Sequence, residues 1–588
     1  MIIQALADYY DTLSKAGELE KTGWSKLKVS YALSVDDGGR LLDIIDLRQS
    51  MERGAKTVLV PQTMYVPTQP SKTSGLCATF LCSNCKYFLG IDESETDSEA
   101  KGKKNRDRAV QAFNKAAELH ISLLGKGENP ESKAICEYFG NWKPELARKN
   151  PKVAELAVEL SKGGNIVFWY KDHYVLSNVS EVRDVWDAYY SKPVNPIYMP
   201  CLDTGTVAEI ENLHPNIKGV KGAQTSGAKI VSFNVNALES YGHEHGEIAP
   251  TSKRTAFAYG EALNNLLSDS NHVNLIGDTT VVSWAADGVT AYEDAFDAML
   301  FGSSETISSS DLAAVISNLA EGKAVNWGKI PLHPENEFYI LGLSPNAARL
   351  SVRFFLKDTF GDIAEKVSRH YNRLEIAYMK PKYPSVYSLL LETVNQKATD
   401  KTPSPQLAGE MIRSVLSDSY YPSTLFTGVE MRIRAEHTLN GRRASIIKAY
   451  LLKNTNNENY KEALKVELNE SCTYVPYLLG RIFEVLEEIQ SAANPNINAT
   501  IKDKYFTSAS ATPDYVFPTL INLGMKHLKK IDGESHGKYV YLNRKLSGLL
   551  GMIHEEYPKK LSLHDQGIFQ LGYYHQSEAK YVKKEEEN

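Results

Sequence analysis

The apolar residues of this chain follow two different periods, and the change between them limits the folds open to it. Near the N-terminus they alternate, as at Leu27, Val29, Tyr31 and Leu33, which is typical of half-buried β-strands. From Asn469 onward they recur every three or four residues, which is typical of amphipathic helices. Because a chain of 588 residues is too long for one hydrophobic core, the sequence predicts two or three domains of the α+β class.

The first predicted domain, residues 1–340, is an irregular α+β body. Its N-terminal part should contain a helix from Ile3 to Ala16, a β-hairpin that turns at Asp36-Asp37-Gly38-Gly39, and a strand from Thr57 to Pro61. The middle part should contain three strands, from Ile166 to Tyr170, from Ile230 to Asn234 and from Thr280 to Trp284. It should also contain a helix from Thr251 to Leu267. Helices that lie between such strands favour an irregular α+β arrangement.

The second and third predicted domains, residues 341–465 and 466–588, are helical. Ser344 and Pro345 have the residue types of a helix N-cap and of the first helical position, which predicts a helix that runs past Arg353. The apolar pattern of the last domain predicts a four-helix bundle. Its helices are Leu478 to Ile489, Val516 to Leu528, Val540 to Ile553, and a fourth that is capped by Ser562 and has Asp565 at its third position.

Charge is distributed unevenly along the chain. Residues 351–455 contain 16 Lys/Arg and 10 Asp/Glu, a net charge of +6, whereas the whole chain carries -6 and the remainder therefore about -12. The cations are interleaved with tyrosines, especially from Tyr420 to Glu436 and from Gly441 to Asn454. A basic block inside an acidic protein indicates a polyanionic partner.

A second basic run follows an acidic patch that begins at Glu93. It consists of Lys101, Lys103, Lys104, Arg106 and Arg108, and it enters a helix predicted to run to about Leu124. Such a run is either a solvated helix face or a row of cations within reach of a phosphate backbone, and the sequence leaves both interpretations open.

Several classes of protein are disfavoured by what the sequence lacks. It has no run of 18 or more apolar residues and no signal peptide, so we expect a soluble cytoplasmic protein without a membrane partner. Its six cysteines form no disulfide framework. Cys77, Cys82 and Cys85 are too few to close a zinc site, and we interpret them as small buried thiols. His243, Glu244, His245 and Glu247 match no metalloenzyme motif and indicate a surface loop, so no metal or other cofactor is expected.

Short segments that occur in a shared order along nearly the whole chain carry a family resemblance. They are Met1 to Leu6, Gly23 to Val29, Phe80 to Cys82, Val231 to Asn234, Glu239 to Gly242, Gly342 to Arg349, Tyr420 to Glu436, Gly480 to Phe483, Ile501 to Phe506 and Leu571 to Gln576. In these segments the chain resembles the large subunit of the subtype I-C CRISPR surveillance complex (Cascade), of the Csd family.

The resemblance implies a non-catalytic subunit of a guide-RNA interference complex in antiviral defence. Such a subunit recognises the protospacer-adjacent motif on double-stranded target DNA, promotes R-loop formation and recruits a separate helicase-nuclease. The implied partners are guide RNA, target DNA, the backbone and small subunits of Cascade, and the helicase-nuclease. The C-terminal bundle resembles the small subunit, which in the family is also made from an internal start, and Val466 stands where such a product would begin.

For motif recognition we favour the segment from Lys72 to Lys86. Its small, polar and cationic residues suit contact with base edges, and they are Lys72, Thr73, Ser74, Gly75, Asn84 and Lys86. The family pattern has Asp-Asn after Phe-Leu-Cys, whereas this chain has Ser83-Asn84, which keeps the amide and removes a carboxylate. A glycine turn between two strands is the structural alternative.

Contacts to the nucleic-acid backbone are expected from arginines and lysines in three places. They are Lys103, Lys104 and Arg106, then Arg349, Arg353 and Lys357, and finally Arg432, Arg434, Arg442 and Arg443. In the predicted helix, the second group falls on one face at i, i+4 and i+8, a spacing that a solvated basic stripe would also show. Tyr420 and Tyr421 would stack on displaced bases or serve as packing residues beside Pro422.

Two other classes of function stay open at this point. One is a metal-dependent nuclease, because carboxylates of a two-metal site are assembled in space and leave no sequence motif. The other is a generic single-strand nucleic-acid-binding protein, which would bind without regard to a flanking motif.

Overall fold

The backbone of this protein divides into two units. The N-terminal unit comprises Met1–Lys218 and Ser226–Asn265, and the C-terminal unit comprises Gly219–Thr225 and Leu266–Asn588. The computed structural model describes residues 1–19, 21–53, 56–69, 75–96, 98–177, 180–192, 197–233, 236–269, 271–302, 308–399 and 401–585. Of the residues predicted to recognise a motif, Lys72, Thr73 and Ser74 lie outside the described residues.

The N-terminal unit mixes helices and strands. Its helices are α1 (Ile2–Lys15), α2 (Cys85–Phe88), α3 (Glu99–Leu124), α4 (Pro130–Asn141), α5 (Pro151–Ser161), α6 (Ser180–Tyr190) and most of α7 (Lys253–Ser268). Its strands are β1 (Trp24–Val35), β2 (Leu41–Asp46), β3 (Gln49–Arg53), β4 (Lys56–Val60), β5 (Gln62–Pro67), β6 (Cys82–Ser83), β7 (Asn165–Tyr170), β8 (His173–Tyr174), β9 (Tyr198–Pro200) and β10 (Val207–Glu209).

The sheet of this unit is organised around β1. On one edge, β5 pairs antiparallel with the first half of β1 and β2 with the second half, while β7 pairs parallel on the other edge. The strand β6 adds to the far side of β7, so Cys82 lies opposite Val167. The apolar face of the sheet is covered by α3, α4 and α5, whose buried residues share one cluster with Tyr31, Leu33 and Phe168.

The predicted hairpin between β1 and β2 is confirmed. Val35 lies opposite Leu41, and the turn between them uses Gly39 with a φ of +70°. An added Cβ at Gly39 would lie 2.2 Å from the backbone nitrogen of Tyr138 on α4. Glycine is therefore required here both by the backbone conformation and by the close approach of a helix.

The C-terminal unit begins with a sheet and continues as helices. The sheet elements are β11 (Asn274–Ile276), β12 (Thr279–Ala285), β13 (Val325–Trp327), β14 (Ile330–Leu332), β15 (Glu337–Asn346) and β16 (Arg349–Thr359), with α8 (Ala291–Leu300) and α9 (Ser309–Ala320) between them. The later helices are α10 (Phe360–Leu374), α11 (Val386–Leu390), α12 (Pro405–Leu416), α13 (Ser423–Glu436), α14 (Gly441–Asn454), α15 (Val475–Ala493), α16 (Ile501–Ala511), α17 (Pro513–Glu534), α18 (His536–Gly551) and α19 (Leu563–Glu585).

The prediction of a helix that starts at Ser344 is wrong, because Ser344 and the residues that follow it form a β-hairpin. The strand β15 pairs with β12 on one side and with β16 on the other, and the hairpin turns where Asn346 faces Arg349. Nearly all of β15 is buried, so its side chains gain more from pairing inside the sheet than from the helix start that Ser344-Pro345 offers. The strand predicted from Ile230 to Asn234 is also wrong, since Ile230 to Phe233 are irregular and Asn234 lies outside the described residues.

The four predicted C-terminal helices are present as α15, α17, α18 and α19, and α16 is a fifth that the sequence analysis missed. The closest packing is between α15 and α19. An added Cβ would lie 1.9 Å from the Phe569 carbonyl oxygen at Gly480, and 2.1 Å from the Tyr477 carbonyl oxygen at Gly572. The two helices also share a hydrogen bond, 2.9 Å long, from Nε of Arg481 to the Gln576 amide.

One continuous cluster of buried apolar side chains fills the C-terminal unit. It runs from Ile276 on β11 through α10, α13 and α14 to Tyr574 on α19. Strands and helices therefore share one core in this unit, which together with the mixed N-terminal unit confirms the α+β class. Among the described residues, no helix is both long and apolar enough to span a membrane.

Candidate nucleic-acid interface

The helix α3 supports the segment in which we predicted motif recognition. Lys115 Nζ donates a hydrogen bond of 3.2 Å to the Leu76 carbonyl, and the Tyr87 hydroxyl accepts one of 3.1 Å from the Cys77 amide. On the other side of the segment, Gln69 Nε2 donates to the Cys82 carbonyl over 3.2 Å. Both flanks of residues 70–74 are therefore anchored.

The strongest anchor between this segment and α3 is a buried histidine. The Leu81 amide donates to Nε2 of His120 over 2.9 Å, while Nδ1 of the same ring lies 2.6 Å from the Ala116 carbonyl. Because Nε2 accepts, the proton is on Nδ1 and the ring is neutral. Burial, only partly offset by the hydrogen bond to Ala116, lowers the pKa of His120 to about 4. The backbone at Leu81 is held in the left-handed region, at a φ of +52°.

Among the described members of the predicted motif segment, Gly75 is exposed. Its φ is +84°, in the region that favours glycine, and an added Cβ would meet no heavy atom of the described residues within 4 Å. Glycine is needed here for the backbone conformation and not for lack of space. A partner can therefore approach the main chain closely at this position.

Asn84 and Lys86, by contrast, both have structural partners. The Asn84 side chain caps α2 by accepting a hydrogen bond of 3.1 Å from the Lys86 amide. The Lys86 ammonium lies 2.6 Å from the carboxylate of Asp92, which is only 2% exposed. Burial would raise the pKa of Asp92, but the hydrogen bonds from Lys86 and Ser94 lower it overall. Removing Lys86 would leave a buried carboxylate without its cation.

The basic run that enters α3 is exposed and forms an ordered stripe. Lys104, Arg108, Gln111 and Lys115 follow one another at i, i+4, i+7 and i+11, so they share one helix face. All four side chains are exposed. Lys103 and Arg106 are exposed as well, but their positions on the helix fall outside this face. The stripe is roughly 16 Å long at 1.5 Å per residue, enough to pass several phosphates. It ends at Lys115, which contacts the carbonyl beside Gly75.

Four cations in the first half of α3 lack acidic partners among the described residues. No ion pair there joins Lys103, Lys104, Arg106 or Arg108 to a carboxylate. The structure thus joins two features that are separate in the sequence, because the helix that carries the basic run also contacts the motif segment at Leu76.

The second predicted group of cations lies on β16 instead of on a helix. Arg353 sits at a β-bulge, where the pairing of β15 with β16 shifts register, and its guanidinium lies 2.9 Å from Asp278. The Lys357 ammonium lies 2.8 Å from Glu337 and 5.5 Å from the ring centre of Tyr339. Both cations remain about half exposed, so each is a surface charge with a local carboxylate beside it.

The third predicted group, on α13 and α14, is mostly bound within the fold. Arg443 is 2% exposed, and its guanidinium donates to Glu392 over 3.0 Å, to Glu436 over 2.5 Å and to Thr438 over 2.7 Å. These bonds join the end of α13, the start of α14 and the turn that contains Glu392. In this structure the Arg443 side chain has no surface for a phosphate.

The remaining arginines of this group are less buried but also have internal partners. Arg434 donates to Oε1 of Gln566 on α19 over 2.6 Å. Arg432 lies 3.7 Å from Glu436, and Arg442 lies 3.7 Å from Glu392 with more than a third of its side chain exposed. Of the four, Arg442 is therefore the most accessible to a polyanion.

Asp418 binds three further cations of the basic region. Its carboxylate lies 2.7 Å from Arg373, 2.8 Å from Lys453 and 3.1 Å from Arg369. Burial would raise the pKa of Asp418, but the hydrogen bonds from Lys453 and Arg373 outweigh it and lower the pKa to about 2. Much of the net positive charge between residues 351 and 455 is thus engaged internally.

The two tyrosines that precede α13 have different surroundings. Tyr421 is 3% exposed, and its hydroxyl lies 2.6 Å from Nδ1 of the buried His370. Tyr420 is 69% exposed. Packing accounts for Tyr421, and only Tyr420 offers a ring to a partner.

An exposed face of α17 and α18 combines aromatic and cationic side chains, and the sequence analysis missed it. Its apolar members are Tyr515, Met525 and Tyr541, which are 86%, 51% and 55% exposed. On α18, Tyr541 follows Lys538 by three residues and precedes Arg544 by three, so they are neighbours on the helix surface. The exposed cations of the face are Lys526, Lys529, Lys538 and Arg544. The signal was available, because Tyr515 and Tyr541 fall outside the apolar period of their helices.

No metal centre is found in the part of the chain that the structure describes. Those residues contain no group of three or more His, Cys, Asp or Glu side chains that could hold a metal ion. Of the three cysteines predicted to be buried, Cys82 and Cys85 are buried and Cys77 is only half-buried. Burial raises the pKa values of Cys82 and Cys85 to about 12 and about 11. In the loop of residues 243–247, His243 lies 3.2 Å from Glu247 and His245 is exposed, which confirms a surface loop.

Comparison with known proteins covers almost the entire chain. A family model described as CRISPR-associated protein (Cas_Csd1) matches residues 6–581. No curated protein matches the chain.

Proposed function

Because the chain belongs to the Cas_Csd1 family of CRISPR-associated proteins, we propose that it is the non-catalytic large subunit of a subtype I-C Cascade complex. In this role it recognises the protospacer-adjacent motif on double-stranded DNA, promotes R-loop formation and recruits a helicase-nuclease. Its partners are guide RNA, target DNA and the other Cascade subunits. Guide pairing reads the long target sequence, so the protein has to supply only a short motif reader and a positive path for the strands.

The observation that carries the proposal is the basic stripe of α3 and its position beside the motif segment. The stripe runs from Lys104 to Lys115, and Lys115 holds the carbonyl of Leu76, the residue after Gly75. Exposed cations such as Lys104 and Arg108 can position a DNA backbone, and an adjacent loop with an open glycine can then reach base edges. We therefore place the duplex along α3, with the flanking motif at residues 72–75.

The face on α17 and α18 supports a second contact, with the strand that the R-loop displaces. Tyr541 is an exposed ring between the exposed Lys538 and Arg544 on α18, and Tyr515 is an exposed ring on α17. Aromatic stacking combined with cations is how proteins hold single strands without reading their sequence. The motif reader and this single-strand face would then act on different parts of one opened duplex.

The experiment that tests the proposal is a gel shift with the guide-loaded complex assembled with and without this chain. The DNA targets match the guide and carry randomised flanking bases. The expected result is that tight binding needs the chain and selects one flanking motif. Binding that is unchanged without the chain, or that ignores the flank, would overturn motif recognition.

A generic single-strand-binding protein is the second candidate, and the α17–α18 face favours it. It predicts equal affinity for single strands whatever motif flanks the target. Anisotropy measurements on labelled single strands and on duplexes with and without the selected flank separate the two functions.

A further inference from the structure

A cavity of about 670 Å³ lies where the N-terminus of α17 meets the C-terminus of α18. Its floor is apolar and consists of Ile521, Leu550, Ile553 and Tyr557. All four are half-buried and pack against the main core of the C-terminal unit. The floor is thus a part of the core that stays open to solvent.

Three carboxylates stand around this floor, those of Asp514, Glu555 and Glu556. All three residues are exposed, and within the described ranges none forms an ion pair. Asp514 lies in the first turn of α17, where a negative charge also favours the helix. Glu555 and Glu556 lie in the loop after α18, where their charges do not stabilise the start of a helix.

An apolar centre with a charged rim is the usual composition of a protein-binding surface. The rim here is negative, so it favours a positively charged partner and repels the phosphates of a nucleic acid. The same helix pair carries its exposed cations elsewhere, at Lys526, Lys529 and Lys538, which separates the two kinds of surface. Lys559 and Lys560 follow in the same loop, but no ion pair joins them to Glu555 or Glu556 in the described structure.

We propose that this cavity is a docking site for a partner protein, and that it takes a segment which alternates basic and apolar side chains. The apolar side chains of the segment fill the floor, and its lysines or arginines face Asp514, Glu555 and Glu556. The inference concerns a protein partner and does not depend on the nucleic-acid contacts proposed above.

The test is fluorescence anisotropy of the full chain with short fluorescein-labelled peptides at physiological ionic strength. The first peptide alternates lysine and leucine, the second lysine and serine, and the third glutamate and leucine. We expect the lysine–leucine peptide to bind at least about tenfold more tightly than either of the others. Only this peptide has both apolar side chains for the floor and positive charges for the carboxylates of the rim. Equal binding of the lysine–serine peptide would show that charge alone acts, and would overturn the proposal.

The variant that locates the binding is Glu555→Gln with Glu556→Gln, which keeps side-chain size and leaves the first turn of α17 unchanged. This double change should weaken binding of the lysine–leucine peptide by about tenfold. The matched control, Lys559→Gln with Lys560→Gln, changes two residues of the same loop and should not weaken it. Binding that survives the glutamate changes would place the peptide elsewhere and overturn the site.

Two further measurements exclude other occupants. Binding of a labelled oligonucleotide should be the same for the glutamate variant and the unchanged protein, and a change in that affinity would make the cavity part of a nucleic-acid surface. Sedimentation of the chain alone should also be the same for both. If the variant instead converts an oligomer into a monomer, the occupant is a second copy of this chain and the proposed partner is wrong.

Discussion

The cations of α3 and the cations of α13 and α14 stand in opposite surroundings. On α3, Lys104 and Arg108 are exposed and form no ion pair among the described residues, whereas Arg443 on α14 is 2% exposed and bound to Glu392 and Glu436. Of the acids that engage the second group, Glu436 lies at the end of α13 itself and Glu392 lies on a turn that precedes both helices. Whether a basic cluster can bind a polyanion therefore depends on which carboxylates the fold brings to it, and not on its own net charge.

The sharpest test of this contrast is stability. Replacing Arg443 by alanine leaves Glu392 and Glu436 largely buried without their shared cation, and should lower the free energy of unfolding by about 3–5 kcal/mol. The measurement is urea denaturation followed by circular dichroism. Arg108→Ala on α3 is the control, and since that side chain is exposed, its effect should stay within about 0.5 kcal/mol. Equal stabilities of the two variants would mean that Arg443 is no more engaged within the fold than Arg108.

A second test concerns the helix packing that encloses the C-terminal region. Gly480→Ala would put a Cβ 1.9 Å from the Phe569 carbonyl oxygen, and a backbone atom cannot move aside by changing rotamer. The expected loss is about 1–3 kcal/mol or more, seen as a lower midpoint of thermal unfolding. Gly548→Ala on α18 is the matched control. An added Cβ there meets no atom within 4 Å, so the change should stabilise by about 0.5–1 kcal/mol. A destabilised Gly548→Ala, or an unaffected Gly480→Ala, would contradict the packing described.

Elements with a long, regular apolar pattern could be predicted from the sequence, and short local signals could not. The helices α1, α15, α17, α18 and α19 and the strands β7 and β12 each carry a full period of apolar residues. The Ser344-Pro345 signal is local, and it is overridden by pairing with β12, a strand formed by residues about sixty positions earlier.

The candidate interface was predictable to a similar, partial extent. The basic run of α3 is visible in the sequence because its residues are adjacent. Its contact with Leu76 is not, since that depends on how the segment before α3 folds back. Arg443 pairs with Glu436, seven positions earlier, and with Glu392, 51 positions earlier, and the distant partner leaves no local pattern from which the burial of Arg443 could be predicted.

The third test measures nucleic-acid binding directly. Lys104→Gln with Arg108→Gln removes two charges from the α3 stripe and should weaken binding of a labelled duplex by about tenfold. The slope of log affinity against log salt should become shallower by roughly two, about one for each lost phosphate contact. Arg432→Gln with Arg434→Gln on α13 is the matched pair, and it should change neither quantity because both side chains already have partners in the fold. If the α13 pair weakened binding and the α3 pair did not, the nucleic acid would bind the cations of α13 and not those of α3.

The smallest expected effect concerns the interior anchor on which the exposed stripe depends. Burial lowers the pKa of His120 to about 4, below the value near 6.5 of an unfolded chain. Between these two values the unfolded state binds the proton and the folded state does not, so the free energy of unfolding decreases as pH falls from about 6.5 towards 4. At pH 5.5 this group should cost about 1 kcal/mol relative to pH 7.5. His120→Gln should flatten the pH profile of stability by up to one proton relative to the unchanged protein, whatever it does to stability at neutral pH. A profile with the same slope as that of the unchanged protein would mean that His120 is not the titrating anchor, and that the motif segment is held to α3 by Lys115 and the remaining contacts instead.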